Sequence, residues 1–317
     1  TVLSGRHFRG WRLNTEVSAP LALRDPQGNS RLIAIEGIRR GEGREIEAVI
    51  DGGAMVVMST TGLVCVDLFR LLKGDASVQW RHGLTGDGSA VAIGSSNVTP
   101  FGDRVVRHKI SSSTAPVSGI IPEFSMGPIM GDRCLLLQGG DLLAIDLQKG
   151  EVLWRNSAAP KSGSVLCNGK RVAVVSDATN KVVFFDLGDG RMLDEIPWQH
   201  GTVWHAAGGH VLSYQNIDKA KPTFVITLVD PFTDAVKLQQ ESWTVNRSTV
   251  SMPSACATIL DGQFLAWMQS DGQAMVWDVV SGTEVARPKV NAYEDLQRLS
   301  AMQLDGQILL MPERKKS

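Results

Sequence analysis

Short apolar runs alternate with turn signals along most of the chain, and hardly any segment shows the i, i+3, i+4 spacing of an amphipathic helix. This pattern predicts an all-β protein. It is clearest over residues 133–156, where the runs Cys134 to Leu137, Leu142 to Leu147 and Val152 to Trp154 are separated by Gly139-Gly140 and Lys149-Gly150. Glycine supplies the positive φ that tight hairpin turns demand, so the stretch predicts a three-stranded antiparallel meander.

The meander repeats. A strand ending in Asp recurs at Asp67, Asp146, Asp186, Asp230 and Asp278, with spacings of 40, 44 and 48 residues from Asp146 onward. That period belongs to the blades of a β-propeller. A turn precedes each unit, at Asp51-Gly52, Gly131-Asp132, Asn168-Gly169, Gly208-Gly209, Asp261-Gly262 and Asp305-Gly306. Tryptophans occur in the last strands, at Trp80, Trp154, Trp198 and Trp243, where a large ring would wedge between neighbouring sheets.

Six turns predict six four-stranded antiparallel blades in a single domain spanning residues 1–317. After Asp305-Gly306 only Gln307 to Met311 remains to form a second strand. The hairpin of Leu21 to Arg24 and Arg31 to Glu36 is the candidate for the two missing strands. The N- and C-terminal strands would then share a blade and hide two sheet edges. Asp67 and Asp146 lie 79 residues apart, close to two periods. Residues 84–123, between them, are expected to be a long inter-blade excursion, since no tryptophan or Asp-ended strand marks them; a seventh, degraded blade is the alternative.

Composition changes this picture little. The 317 residues are 43% hydrophobic and 21% charged with a formal net charge of -1, which gives no reason to expect nucleic acid as a partner. No run reaches the eighteen or so apolar residues of a membrane span. Cys65, Cys134, Cys167 and Cys256 form no C-x-x-C pair and are expected as buried free thiols. The sequence opens at Thr1 without a signal-peptide pattern, as a processed precursor or an excised domain would.

Ala144-Ile-Asp146-Leu-Gln-Lys-Gly150-Glu-Val-Leu-Trp154 resembles the repeat of the quinoprotein alcohol dehydrogenase-like propellers, in which an Ala-x-Asp strand end is followed by Thr-Gly and then Trp. The likeness covers residues 46–83 and 124–311, loosening at Asp186 to Gly190 and Asp278 to Gly282, where the tryptophan is shifted or absent. The family's enzymes carry pyrroloquinoline quinone and calcium in eight blades, often above adjacent cysteines. This sequence has no Cys-Cys pair, and eight blades of this period need roughly 350 residues. The resemblance therefore implies a non-catalytic member without a cofactor, like the bacterial outer-membrane assembly lipoproteins of the same family, and a place in the periplasm or cell envelope. A propeller enzyme with a site assembled from loops at the channel mouth is the alternative.

Two groups of residues are candidates for function. Phe101, Arg104, Arg107, His108 and Lys109 lie in the serine-rich excursion that breaks the period, where something other than packing is encoded, and are expected to bind a protein partner of a monomeric domain. Trp204 and His205 fall on a first strand and are candidates for the channel mouth. His200, His205 and His210 are five residues apart, which points successive rings to opposite faces of a strand and argues against a metal site. No metal ligand or catalytic residue is assigned.

Overall fold

The computed structural model describes residues 7–8, 11–14, 22–25, 27, 29–33, 48–59, 62–75, 77–83, 92–93, 124–207, 209–218, 223–243, 257–260, 263–269, 271–291, 296–304 and 307–314. The first sheet holds His7–Phe8 (β1), Trp11–Asn14 (β2), Ala22–Arg24 (β3) and Ser30–Leu32 (β4). The second holds Ala48–Asp51 (β5), Ala54–Ser59 (β6), Gly62–Asp67 (β7), Val78–Gly83 (β8) and Ala92–Ile93 (β9), with the helix Leu68–Lys73 (α1) between β7 and β8. Phe124–Met130 (β10), Arg133–Gln138 (β11), Asp141–Asp146 (β12) and Val152–Asn156 (β13) make the third; Ser164–Cys167 (β14), Arg171–Ser176 (β15), Lys181–Asp186 (β16) and Met192–Pro197 (β17) make the fourth.

Thr202–Ala207 (β18), His210–Asp218 (β19), Thr223–Asp230 (β20) and Ala235–Trp243 (β21) come next, then Ala257–Leu260 (β22), Phe264–Met268 (β23), Ala274–Asp278 (β24) and Thr283–Ala286 (β25). Leu296–Leu304 (β26) and Gln307–Arg314 (β27) form a two-stranded sheet among the described residues. The fold is thus an all-β propeller with six four-stranded antiparallel meanders, β9 being an addition to the edge of one of them.

The membership of the terminal sheets differs from the closure the sequence suggests. The N-terminal hairpin exists, as β3 and β4, but its hydrogen-bonded neighbour is β2, through Arg12↔Arg24, Leu13↔Leu23 and Asn14↔Ala22. His7–Phe8 and Trp11–Asn14 supply the first two strands of that sheet, so the hairpin is already committed.

The chain divides into two compact units, Thr1–Val172 with Phe185–Leu193, and Ala173–Phe184 with Asp194–Ser317. In the first, side chains of β5 to β7 alternate between two cores. Ala48, Ile50, Met55, Val57, Val64 and Val66 pack with Leu23 of the first sheet and with Ile33, just past its last strand. Val49, Val56, Leu63 and Cys65, one residue out of phase, pack with Met126, Cys134, Leu136, Leu143 and Ile145 of the third. A sheet covered on both faces needs apolar residues at every position, which is why these strands read as unbroken apolar runs. The second unit repeats the arrangement: Leu265, Trp267 and Met275 face one cluster, Ala266, Met268 and Ala274 another.

The Asp that ends each third strand shapes the turn beyond it. Asp146 Oδ1 accepts from the N–H groups of Gln148 and Lys149, both at 2.8 Å, and Gly150 closes the turn with φ +74° and its N–H on the Asp146 carbonyl. Asp186, Asp230 and Asp278 accept in the same way from Gly188, Phe232 and Val280. In the second sheet the same acceptor starts a helix instead: Asp67 caps α1 through the N–H groups of Phe69 and Arg70, and Gly74 ends it in the left-handed conformation.

A bulge in the fourth strand recurs as well. Ala144 opposes Trp154 while Ile145 opposes Val152, so Leu153 has no partner; by the same count Gln79, Lys237 and Val285 are unopposed in β8, β21 and β25.

Candidate functional site

The bulge re-aims the end of its strand, and the tryptophan just beyond it, still paired in its own sheet, extends its side chain to the next turn. Trp80 Nε1 donates to the Leu147 carbonyl at 2.7 Å, and its ring lies on Gly150, where an added Cβ would be 2.7 Å from Trp80 Cδ2. Two residues on, His82 Nδ1 meets the Gly150 carbonyl at 3.1 Å. The next joint repeats this: Trp154 Nε1 donates to Leu187 O at 3.0 Å over Gly190, and Asn156 Nδ2 donates to Gly190 O at 2.8 Å. Arg133 Nη1 adds a bond to Leu187 O at 2.9 Å. The recurrent Asp, Gly and Trp therefore form one lock between sheets, with Asp building the turn, Gly leaving room for the ring and Trp closing the joint.

In the second unit the lock is altered. Four residues beyond Asp230 stands Asp234, still at φ +57° but carrying a Cβ where the others have none. Trp198 instead donates to Gly201 O at 2.8 Å within its own chain segment. His200 takes over the joint: its Nε2 is 2.8 Å from Asp234 Oδ1, and its ring stands edge-on to Trp198 at 4.9 Å.

Burial holds three titratable groups at these joints in their neutral forms. Burial, with Cys134 and Asp67 nearby, pushes the Cys65 thiol up to about 12, and burial alone pushes Cys134 up to about 12. Burial also holds His82 below the ordinary histidine value, against the effect of its bond to Gly150. Such groups stay neutral near pH 7.

The fourth strands leave apolar side chains exposed. Val152 and Leu153 on β13 are 38% and 44% exposed, and Met192 and Leu193 on β17 are each 37% exposed. The pairs stand six and seven residues beyond Asp146 and Asp186, so they occupy equivalent positions on either side of the Trp154–Gly190 joint. In the second unit Val236 and Val285 are exposed at the same offsets from Asp230 and Asp278.

Of the residues singled out from the sequence, Phe101, Arg104, Arg107, His108 and Lys109 lie outside the described residues. Trp204 is half-buried and packs against the cluster of Leu212, Leu228, Leu265 and Trp267. It is the residue a bulge in β18 leaves unopposed, between Val203↔Ser213 and His205↔Leu212; the His205 side chain is outside the described part. Among the described residues no group of three or more His, Cys, Asp or Glu could hold a metal ion, and no helix is long and apolar enough to cross a membrane. The sequence pointed to neither His82 nor Asn156 and brought up His200 only as a metal ligand, although each of the three stands two residues after a tryptophan, a fixed offset that carries the signal.

A family model described as outer membrane protein assembly factor BamB (PQQ_2) matches residues 76–305. Among solved structures, a computationally designed protein, Ika8, is similar at a TM-score of 0.50 and 10% identity, over 97% of this chain and 82% of that one. BamB from Moraxella catarrhalis is similar at a TM-score of 0.41 and 13% identity, over 96% of this chain and 80% of that one. No curated protein sequence matches the chain.

Proposed function

Because the chain belongs to the family described as outer membrane protein assembly factor BamB, we propose that it is a non-catalytic protein-binding scaffold serving assembly at a bacterial outer membrane. The observation that carries this reading is the use made of the repeated residues. Asp146 and Asp186 bind backbone N–H groups, and Trp80 and Trp154 bind turn carbonyls. The repeat is consumed by architecture, which leaves exposed apolar side chains and inserted segments as the means of recognition.

This reading takes the whole chain as one propeller domain and residues 84–123 as an excursion from it. Phe101, Arg104, Arg107, His108 and Lys109 are the partner-binding residues within it, a mildly basic group with an apolar anchor. The test is affinity capture from the source cell with the intact chain and with residues 95–118 replaced by a short Gly/Ser linker. A specific partner retained by the first and lost by the folded second supports the proposal; identical partners with both would refute the assignment to this segment. Titration with pyrroloquinoline quinone and calcium is expected to give no stoichiometric complex, and alcohol-dependent dye reduction would overturn the non-catalytic reading.

A further inference from the structure

Trp80 and Trp154 each close a joint by lying on the glycine of the next turn. The joint between the sheets β18–β21 and β22–β25, both in the second unit, has the same turn without the ring. Asp278 Oδ1 accepts from the N–H groups of Val280 at 2.9 Å and Ser281 at 3.2 Å, and the Gly282 N–H bonds to the Asp278 carbonyl at 2.9 Å. Gly282 has φ +70°, against +74° at Gly150 and +73° at Gly190. Val279 is held by its N–H on the Gln263 carbonyl, as Leu147 is held on Asp132 and Leu187 on Lys170.

The difference lies in the residue that faces this turn. Beyond the bulge of β21, paired with Leu228 as Trp154 is paired with Ala144, stands Leu238. Leucine is shorter than tryptophan and carries no donor. Its side chain stays between the sheets, buried with Leu212, Leu228, Leu265 and Met275. The consequence shows at the glycine. Gly150 and Gly190 are buried, with indole atoms 2.7 and 2.3 Å from an added Cβ, whereas Gly282 is exposed and nothing among the described residues stands within 4 Å of one. The Leu147 and Leu187 carbonyls hold the two indoles; no side-chain donor among the described residues reaches the equivalent carbonyl of Val279. At the preceding joint His200 and Asp234 take over the closure. Here no such replacement is found among the described residues.

The rim of the slot is apolar and open to solvent. Val280, in the turn itself, is 61% exposed, and Val236, two residues before Leu238, is 47% exposed. Large rings that enter a pocket with an apolar surround, and find one polar partner at its base, are the side chains that carry most of the energy of an interface.

We propose that the slot over Gly282 receives a tryptophan side chain from a partner protein, with the indole lying on Gly282, its N–H donating to the Val279 carbonyl, and Val236 and Val280 at the rim. The chain itself specifies the occupant, since it fills the same slot with an indole at two other joints. A phenyl ring occupies the space and leaves the carbonyl without a donor. The inference rests on the protein-binding reading and names the side chain by which one partner is held.

The test uses the full chain and fluorescein-labelled peptides of alternating serine and valine that differ at one central position: tryptophan, 1-methyltryptophan or phenylalanine. The tryptophan peptide is expected to bind saturably, and the other two about tenfold more weakly, because neither offers the N–H. Gly282→Asp should abolish binding in a folded chain, since Asp234 shows that this turn accepts an aspartate in the left-handed conformation. Gly131→Asp, at φ +64° with nothing within 4 Å of an added Cβ, should leave binding intact. Val280→Ser, an exposed change that spares the backbone, should weaken it about fivefold. Equal binding of the three peptides, no saturable binding, or binding that survives Gly282→Asp would overturn the proposal. So would tighter binding after Trp243→Phe, which means that the chain's own indole competes for the slot. If the peptides fail while affinity capture still returns a specific partner, the slot is wrong and the scaffold reading stands; if capture fails too, both fall.

Discussion

The indole of Trp154 lies directly on Gly190, so close that a Cβ there would be 2.3 Å from Trp154 Cε3, and its N–H reaches the carbonyl of Leu187 at 3.0 Å. The residue that builds one sheet's turn and the residue that closes the previous sheet's last strand are thereby specified together. Trp80 and Gly150 make the same contact one joint earlier.

Gly190→Ala should therefore be costly for two separable reasons. The backbone at φ +73° disfavours any side chain by about 1 kcal/mol, and displacing the ring adds about 1–3 kcal/mol of overpacking. Gly131→Ala provides the comparison, since Gly131 has φ +64° and nothing within 4 Å of an added Cβ. Urea unfolding of both variants should show the larger loss at Gly190; equal losses would mean that the ring moves aside freely.

Much of this was legible in the sequence, and the limits of legibility have physical causes. The Asp-ended strands and glycine turns give the period because turn chemistry is local, and β11 to β13 run where the pattern of Cys134 to Trp154 places them. The first sheet was half legible: its hairpin of β3 and β4 is marked by a turn, whereas β1 and β2, two and four residues long, are too short to show a period. The role of Trp154 as a wedge was predictable from its place in the repeat. Its partner Gly190 was not, because the contact joins residues 36 apart in sequence and its geometry depends on the unopposed Leu153.

The joint at Asp234 tests the same rule in reverse. Asp234→Gly relieves a left-handed non-glycine residue, worth about 1 kcal/mol, and removes the bond to His200, a pair open to solvent on its Asp234 side and worth about 0–1 kcal/mol. The net change in unfolding free energy should lie close to zero. Gly190→Asp makes the opposite exchange under Trp154 and should destabilise by several kcal/mol, on the order of the larger core lesions. Chemical denaturation of the two variants side by side checks the asymmetry, and comparable effects would show that the slot under Trp154 is not special.

His82 should make stability depend on pH in a defined window. Burial holds its folded-state pKa below the ordinary 6.5, so the unfolded chain takes up the proton first as pH falls. Its contribution is full above 6.5, declines as pH falls from 6.5 towards the folded value, and then changes no further. Asp132, Asp141, Asp278 and Glu284 have lowered pKa values and lose their contributions only at more acidic pH, through the carboxylate range. Asn156 makes the equivalent contact in the next joint with an amide that does not titrate. His82→Asn should thus keep the donor and flatten the stability profile between pH 5 and 7, roughly the histidine range. Urea midpoints across that range provide the measurement, and an unchanged slope would remove His82 as its source.

The buried thiols give a direct readout of the lock itself. Cys65 and Cys134, both with pKa pushed up to about 12, expose almost no thiolate at pH 8, roughly one part in ten thousand. Cys167 is only half-buried; burial raises its pKa too, but the Gly169 N–H and the Arg133 charge work the other way. In a Cys256→Ser background, a thiol reagent should therefore label Cys167 first in the native protein, and reach Cys65 and Cys134 only through opening of the structure. Cys65 Sγ lies 3.7 Å from the Leu147 carbonyl, the acceptor that also holds the Trp80 indole. Trp80→Phe removes that indole donor at a cost of about 1–2 kcal/mol, and labelling through an opened state should quicken by about tenfold for each 1.4 kcal/mol lost. Peptide mass spectrometry over a time course identifies which thiol reacts. Faster labelling of Cys65 with Cys167 unchanged would locate the loss of stability at the lock, whereas an unchanged Cys65 rate would show that Trp80 does not hold this joint closed.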